Sequence, residues 1–419
     1  MNTIETVRVG LLGFGTVGQS VARILCAGHV SGVQLTHIFN RLVASKRVDW
    51  VPSTVKWTDQ IDEVLRSDVD VVVELVGGLH PAYEWVRAAL AGGKSVVTAN
   101  KQLIAHYGAE LGELARASGR QLRFEAAVAG GIPVLRALQE GLAGDRLVEV
   151  RGILNGTCAY ILSRMQSAEL PFAEALAEAQ AAGYAEADPT EDVDGADAAA
   201  KLAIVAAVGL RRPIRVADIA TQSIRPIDFV DFHYAKEIDC TIRQIARAAV
   251  EEDGRVFAVV GPALVPIHSS FGQVTGSQNI VMVRGVFGGE TWFSGSGAGG
   301  APTAVAVVSD LLSIGRHALR DGGPPAIAVS EVSSDFVAPH YVRFMVADRP
   351  GILAEVCAGF ARHGINIEAV VQLPRYRKDR LPFVATLEVC AASVLGRALA
   401  DITGLDFHVE PPLALPILA

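Results

Sequence analysis

Asp197 and Lys201 are the only polar side chains in ADAAAKLAIVAAVGL, the stretch from Ala196 to Leu210. Alanine-rich composition predicts a helix there, and a spacing of four puts the two on one face. On an exposed helix such a pair would be worth only about 0.2–0.5 kcal/mol. This helix is apolar on every side, which predicts burial, and burying an ammonium and a carboxylate costs several kcal/mol each. A buried Lys–Asp pair facing a cleft is better explained as proton-transfer machinery. The loop before it, GYAEADPTEDVDG, is too polar and turn-rich for a core, and it brings Glu186, Asp188 and Asp192 toward the same helix N-terminus. Converging carboxylates suit the ammonium group of an amino acid; a divalent metal site and a solvated loop are the competing readings.

The second chemical signal is Gly13-Phe14-Gly15-Thr16-Val17-Gly18, set between the apolar run VRVGLL and a helical pattern. A lone glycine pattern is weak, but in a first strand–turn–helix it predicts a dinucleotide site. Gly13 permits the tight turn, Gly15 lets the backbone approach a pyrophosphate, and Gly18 lets helix and strand pack closely. An NAD-preferring site would place an acid at the end of the next strand. Here the end reads HIFNRLVASKR, with Asn40 and Arg41, which favours the 2′-phosphate of NADP(H) over NAD(H). An ordinary solvated loop carrying Arg41 and Lys46 is the plainer alternative.

The elements that must position these residues alternate. Val7–Leu12, Val33–Phe39, Val69–Leu75, Ser95–Thr98 and Gln121–Glu125 read as strands, with helices at Thr16–Ala27 and Tyr83–Ala91, a pattern that predicts a parallel, doubly wound sheet. An alanine-rich helical region follows at about 132–210, then a strand-rich stretch at 254–293, a glycine loop feeding a helix, and a linker at 320–326. A chain of 419 residues exceeds one core, so several domains are expected. Its net charge of −8 and the lack of a basic run argue against nucleic acid and anionic membranes. Five scattered cysteines, with no signal peptide and no bilayer-length apolar run, predict a cytoplasmic protein with reduced thiols.

These motifs together resemble homoserine dehydrogenase. The likeness runs nearly end to end through GFGTVG, VVVELVGG, VVTANKQLIA, FEAAVAGGIPVL, GILNGTCAYIL, GYAEADPTEDVDGADAAAKLAI and GSGAGGAPTAVAVVSDL. The resemblance implies reversible NAD(P)H-dependent reduction of L-aspartate 4-semialdehyde to L-homoserine, in a homodimer or higher homo-oligomer. It implies Lys201 as proton donor with Asp197 beside it, and Glu186, Asp192, Tyr184 and Lys101 as substrate-binding residues. Lys101, Gly297 and Gly299 would join the glycine loop and Arg41 around the cofactor. It also implies a monovalent cation, usually taken as sodium, on the Glu125 carboxylate and the carbonyls of Val128, Gly130 and Ile132, where an ion-free glycine turn is the alternative. Ala159 stands where the family has asparagine. Another NADP-dependent amino-acid or aldehyde reductase, or a non-catalytic amino-acid-responsive regulator, would share parts of this set.

The fold this implies is α/β: a Rossmann-type nucleotide domain over 1–130, completed by a helix at about 301–320, an α+β substrate and dimerisation domain over 131–300, and a βαββαβ unit over 338–419. VRFMVADRPGILAEVCAGFARHGINIEAVVQ in that last unit is similar to an ACT domain, which implies an L-threonine effector touching the Gly364–Asn366 turn. Leu387 stands where the family often has histidine, so a purely dimer-supporting module is the equal alternative.

Overall fold

The computed structural model describes residues 6–28, 30–316, 328–374 and 376–418; the linker expected at 320–326 falls outside them. The chain divides into two compact units. The first comprises Met1–Val150, Ala199–Asp218 and Asn279–Ser330, and the second Arg151–Ala198, Ile219–Gln278 and Glu331–Ala419.

In the first unit β1 (Val7–Leu12), β2 (Val33–Phe39), β3 (Lys56–Thr58), β4 (Val71–Glu74), β5 (Ser95–Thr98) and β6 (Leu122–Arg123) form a parallel sheet in the order β3-β2-β1-β4-β5-β6. The central strands β4 and β5 are apolar on both faces, at Val71–Val73 and Val96–Val97, because helices cover both. Val9, Leu11, Val71, Val73 and Val97 meet helices Thr16–Cys26 and Gly300–Arg316, whereas Leu12, Val72 and Val96 meet Ala82–Ala91 and Lys101–Ala117. β1, β2 and β5 have the expected bounds; β4 and β6 are shorter than the expected Val69–Leu75 and Gln121–Glu125. The order reverses between β1 and β4, and such a switch point opens a ligand crevice at the carboxyl ends of the strands. Strand Gln278–Gly285, from its second residue on, and its partner Gly289–Ser296 belong to the same unit.

The helical region expected at 132–210 contains a strand, Leu147–Ile153. Its Glu149 is fully buried and ion-paired with Arg284, so a buried charge breaks the alternation that would have marked it. Strand Cys240–Val250, which precedes the expected strand-rich stretch at 254–293, hides in the same way behind buried Arg243 and Gln244. It pairs antiparallel with Val256–Pro266 in the second unit.

The last 80 residues of the second unit fold as Val337–Val346, helix Ile352–Arg362, Ile367–Val371, Leu381–Ala391, helix Ala392–Thr403 and His408–Pro416, the βαββαβ order expected. The two helices cover one face of the four-stranded antiparallel sheet. The other face, through Tyr341, Val384, Leu413 and Leu415, shares a core with helices Gly156–Ala168 and Phe229–Lys236. Within that core Arg343 pairs with Asp231 at 2.5 Å and Tyr341 donates its hydroxyl to the same carboxylate at 2.8 Å.

Candidate active site

The glycine turn of the first unit has the geometry a dinucleotide needs. Gly13 has φ +99°, and a Cβ there would lie 2.7 Å from the Leu75 carbonyl; one at Gly18 would lie 2.3 Å from the Gly13 carbonyl. A Cβ at Gly15 would meet nothing within 4 Å, which leaves the backbone open to approach. Gly15 caps helix Thr16–Cys26 without a side-chain hydrogen bond, so the first amides, at Thr16 and Val17, are available to phosphate oxygens. Phe14 turns inward, fully buried, and stacks on Trp50 with Trp57 edge-on, so its ring anchors the turn. Arg41 is exposed in a turn fastened by Asn40, whose N–H donates to the Thr58 carbonyl and whose Oδ1 accepts from Leu42 N. Near the mouth of the turn, a Cβ at Gly300 would lie 2.8 Å from Thr16 Cγ2, and the preceding Gly299 has φ +119°.

Across the switch point, Lys101 is half-buried and opens helix Lys101–Ala117 at the carboxyl end of β5. Asn100 caps that helix at Leu103 N (3.1 Å) and donates Nδ2 to the Gly78 carbonyl at 2.6 Å. Thr98 accepts from Asn100 N at 2.9 Å and donates its hydroxyl to buried Glu74 at 2.6 Å. The turn of the expected cation site is bent by Ala129 (φ +54°) and Gly130 (φ +53°). A Cβ at Gly130 would strike the Gly297 carbonyl at 2.6 Å, so only glycine fits. The Ile132 carbonyl already accepts from Val134 N at 2.8 Å. Glu125 accepts from Leu135 N and Arg136 N at 2.8 and 2.7 Å, and burial pushes its carboxyl up to about 7. Asp310, which no sequence pattern ties to this turn, accepts the Glu125 N–H and pairs with Arg136; burial raises its carboxyl as well. Among the described residues no cluster of three or more His, Cys, Asp or Glu side chains is arranged around a metal position.

In the second unit one residue gathers the acids. Asn155 Nδ2 donates to Asp192 Oδ1 at 2.6 Å and to Asp197 Oδ2 at 2.8 Å, while its Oδ1 caps helix Gly156–Ala168 at Cys158 N. Asp197 is 4 % exposed. It lies one turn before half-buried Lys201 on helix Ala196–Val205. Glu186 and Asp188 are exposed, and Asp188 accepts from Thr190 N at 3.1 Å. Tyr184 is half-exposed, stacks on Tyr160 at 4.5 Å, and accepts at its carbonyl from the Thr157 hydroxyl. Asn155 was legible only as a residue before a helix start, the preferred place for a capping side chain.

Residues 133–312 match the homoserine dehydrogenase family, 13–125 its NAD-binding domain and 340–407 the ACT domain. A homoserine dehydrogenase of Synechocystis is 40 % identical over 99 % of this chain and 100 % of its own. The chain belongs to the homoserine dehydrogenase family. A crystal structure of homoserine dehydrogenase from Thiobacillus denitrificans superposes with a TM-score of 0.91 at 34 % identity, covering 99 % of this chain and 98 % of that one. A hyperthermophilic archaeal homoserine dehydrogenase, solved with NADPH, matches at a TM-score of 0.65 and 25 % identity over 77 % of this chain and all of its own. As a homoserine dehydrogenase the chain is an NAD(P)-dependent oxidoreductase acting on a CH–OH group, interconverting L-aspartate 4-semialdehyde and L-homoserine. It carries an ACT domain, and no described helix is long and apolar enough to cross a membrane.

Proposed function

We propose that Lys201 donates the proton to the semialdehyde oxygen and that Asp197, Asp192, Glu186 and Tyr184 bind the amino-acid end of the substrate. The observation that carries this reading is the Asn155 carboxamide, which holds two carboxylates together one helical turn before the lysine. A dinucleotide held by the glycine turn would supply a hydride to the aldehyde carbon. Negative charge then builds on the oxygen, and a nearby ammonium both stabilises that charge and supplies the proton. Asp192 and Asp197, fixed by Asn155, offer acceptors for the substrate ammonium.

Asn155→Ser separates positioning from folding, because serine is also a good cap but lacks the NH2 that bridges the acids. N155S is expected to keep a near-wild-type melting temperature and to lower kcat/KM by about tenfold or more, the scale of a lost charge-assisted contact. An unchanged kcat/KM would remove the bridge from the mechanism.

Gly13, Gly15 and Gly18, with the amides of Thr16 and Val17, would hold the pyrophosphate; Gly297 and Gly299 would border it. NADP(H) is the preferred dinucleotide in this reading, supported by exposed Arg41 at the end of β2 where an NAD site carries an acid. A sodium ion on Glu125 and the carbonyls of Val128, Gly130 and Ile132 is supported by the oxygen-rich donor set, and by the burial of Glu125, whose ionisation a cation would offset. In this reading residues 1–130, with the helix at about 301–320, serve the nucleotide, 131–300 serve substrate binding and dimerisation, and 338–419 serve regulation. The site of action in this reading is the cytoplasm, in keeping with five cysteines that form no disulfide among the described residues.

L-Threonine is the proposed effector. A cleft of about 400 Å³ lies between Asp348–Ala354, Gln372 and Phe383. It is not at the Gly364–Asn366 turn, where Asn366 is tied to Glu388 at 3.1 Å. Millimolar threonine is expected to slow semialdehyde reduction and raise the melting temperature, since a ligand at 100 times its Kd stabilises the folded state by about 2.7 kcal/mol. If neither changes, the domain supports assembly alone.

A further inference from the structure

We propose that Glu74 is the positioning residue of the nicotinamide end of the cofactor cleft, fixing the two turns between which that end must lie. Glu74 is the last residue of β4, in register with Leu12 on β1 and Thr98 on β5, and none of its surface is exposed. β2 with Arg41 lies on one side of β1, and β4 and β5 lie on the other. A dinucleotide whose pyrophosphate sits on the glycine turn therefore extends its nicotinamide half over β4 and β5.

The carboxylate there divides its two oxygens between the two turns. Oε1 accepts from Val76 N at 2.7 Å and Gly77 N at 3.1 Å, which folds the turn in which Gly77 and Gly78 have φ +78° and +73°. Oε2 accepts the Thr98 hydroxyl at 2.6 Å. Thr98 in turn takes Asn100 N, and Asn100 closes the ring by donating Nδ2 to the Gly78 carbonyl. Lys101 is the next residue, so the ring sets where its helix begins. Leu75, just after Glu74, bears its carbonyl against Gly13, which extends the constraint to the glycine turn.

A stability role explains this poorly. Packed apolar groups fill a buried site at lower cost than a carboxylate, and valines occupy the three preceding positions of the strand. A carboxylate is needed because it alone accepts from two backbone amides and a hydroxyl together without offering a proton. Glutamine keeps the size but must turn an NH2 toward one of those donors.

Glu74→Gln and Thr98→Val test the proposal, the latter breaking the same ring without touching a charge. Dissociation constants for NADPH and for 2′,5′-ADP, which carries only the adenosine half, are measured by calorimetry beside kcat and melting temperature. Both variants are expected to bind 2′,5′-ADP within about twofold of wild type, to weaken NADPH about fivefold or more, and to lose about tenfold or more in kcat, since displacement by a fraction of an ångström is costly in rate. Thr98→Ser is expected to recover most of the loss seen in T98V. Parallel weakening of NADPH and 2′,5′-ADP, or a lowered melting temperature with both constants and kcat intact, would show a merely structural carboxylate. The proposal rests on Lys101 lying where cofactor and substrate meet. If Lys101→Ala is fully active while E74Q still separates NADPH from 2′,5′-ADP, that reading of Lys101 fails and the role of Glu74 stands.

Discussion

Lys201→Ala is expected to lower kcat for semialdehyde reduction by about 10²–10⁴-fold, the usual worth of a positioned general acid. NADPH binding, followed by fluorescence titration, is expected to stay within about twofold, because the glycine turn and Arg41 follow β1 and β2 and are not carried by the helix of Lys201. The helix that carries Lys201 is buried along nearly its whole length, with Ala198, Ala199, Ala200, Leu202, Ala203 and Ile204 all inside. Alanine is the best helix former and matches these neighbours, so the fold survives the change. What the variant lacks is the ammonium one turn after Asp197, which Asn155 holds in place. Lys201→Arg divides the two parts of the role. A guanidinium keeps the charge but does not release a proton in a protein. If charge stabilisation dominates, K201R recovers much of the rate; if proton donation dominates, it stays near K201A. Near-wild-type kcat in K201A would overturn the assignment altogether.

The nucleotide half was legible because its signals are local. A β-branched run buried on both faces, then three glycines with separate steric duties, can be read from ten or so residues, and β1, β2 and β5 begin and end as read. The substrate half was legible only in part. Asp197 and Lys201 stand out because they interrupt an apolar helix, yet the residue that organises the acids is Asn155, 42 positions earlier. No periodicity links the two; only the fold does. Glu186 and Asp188 lie on the same loop as Asp192, but a tight turn capped by Asp188 leaves them at the surface. Strands Leu147–Ile153 and Cys240–Val250 were obscured by charges whose partners come from distant segments, Glu149 with Arg284 and Arg243 with Gln166. A buried charge looks like an exposed one until its partner is known.

The same principle gives the largest expected loss of stability. Arg343→Met is expected to destabilise the protein by about 3–5 kcal/mol at pH 8, because it leaves Asp231 as a buried carboxylate without its cation. Burial already pushes the Asp231 carboxyl up to about 6 against the opposing pull of Arg343, whereas an unfolded aspartate titrates near 3.9. The native state therefore holds this proton through a range where the unfolded chain has released it, and stability falls as pH rises from about 4 to about 6. Removing Arg343 raises the carboxyl further and extends that fall to higher pH. Urea unfolding should then show a small deficit for R343M at pH 5, where Asp231 is protonated in both proteins, and a large one at pH 8. Asp231→Asn in the R343M background removes the stranded charge and is expected to recover most of the difference at pH 8, leaving little dependence on pH. A deficit equal at both pH values would mean that lost packing, not the carboxylate, is responsible. The pair also has a bearing on catalysis. Arg343 donates to the Pro226 carbonyl at 3.2 Å, and neighbouring Ser223 and Arg225 hold Asp194, two residues beyond Asp192. An ACT sheet loosened at Arg343 releases the segment against which the substrate loop is braced, so R343M is also expected to raise KM for the semialdehyde at temperatures where the protein is still folded.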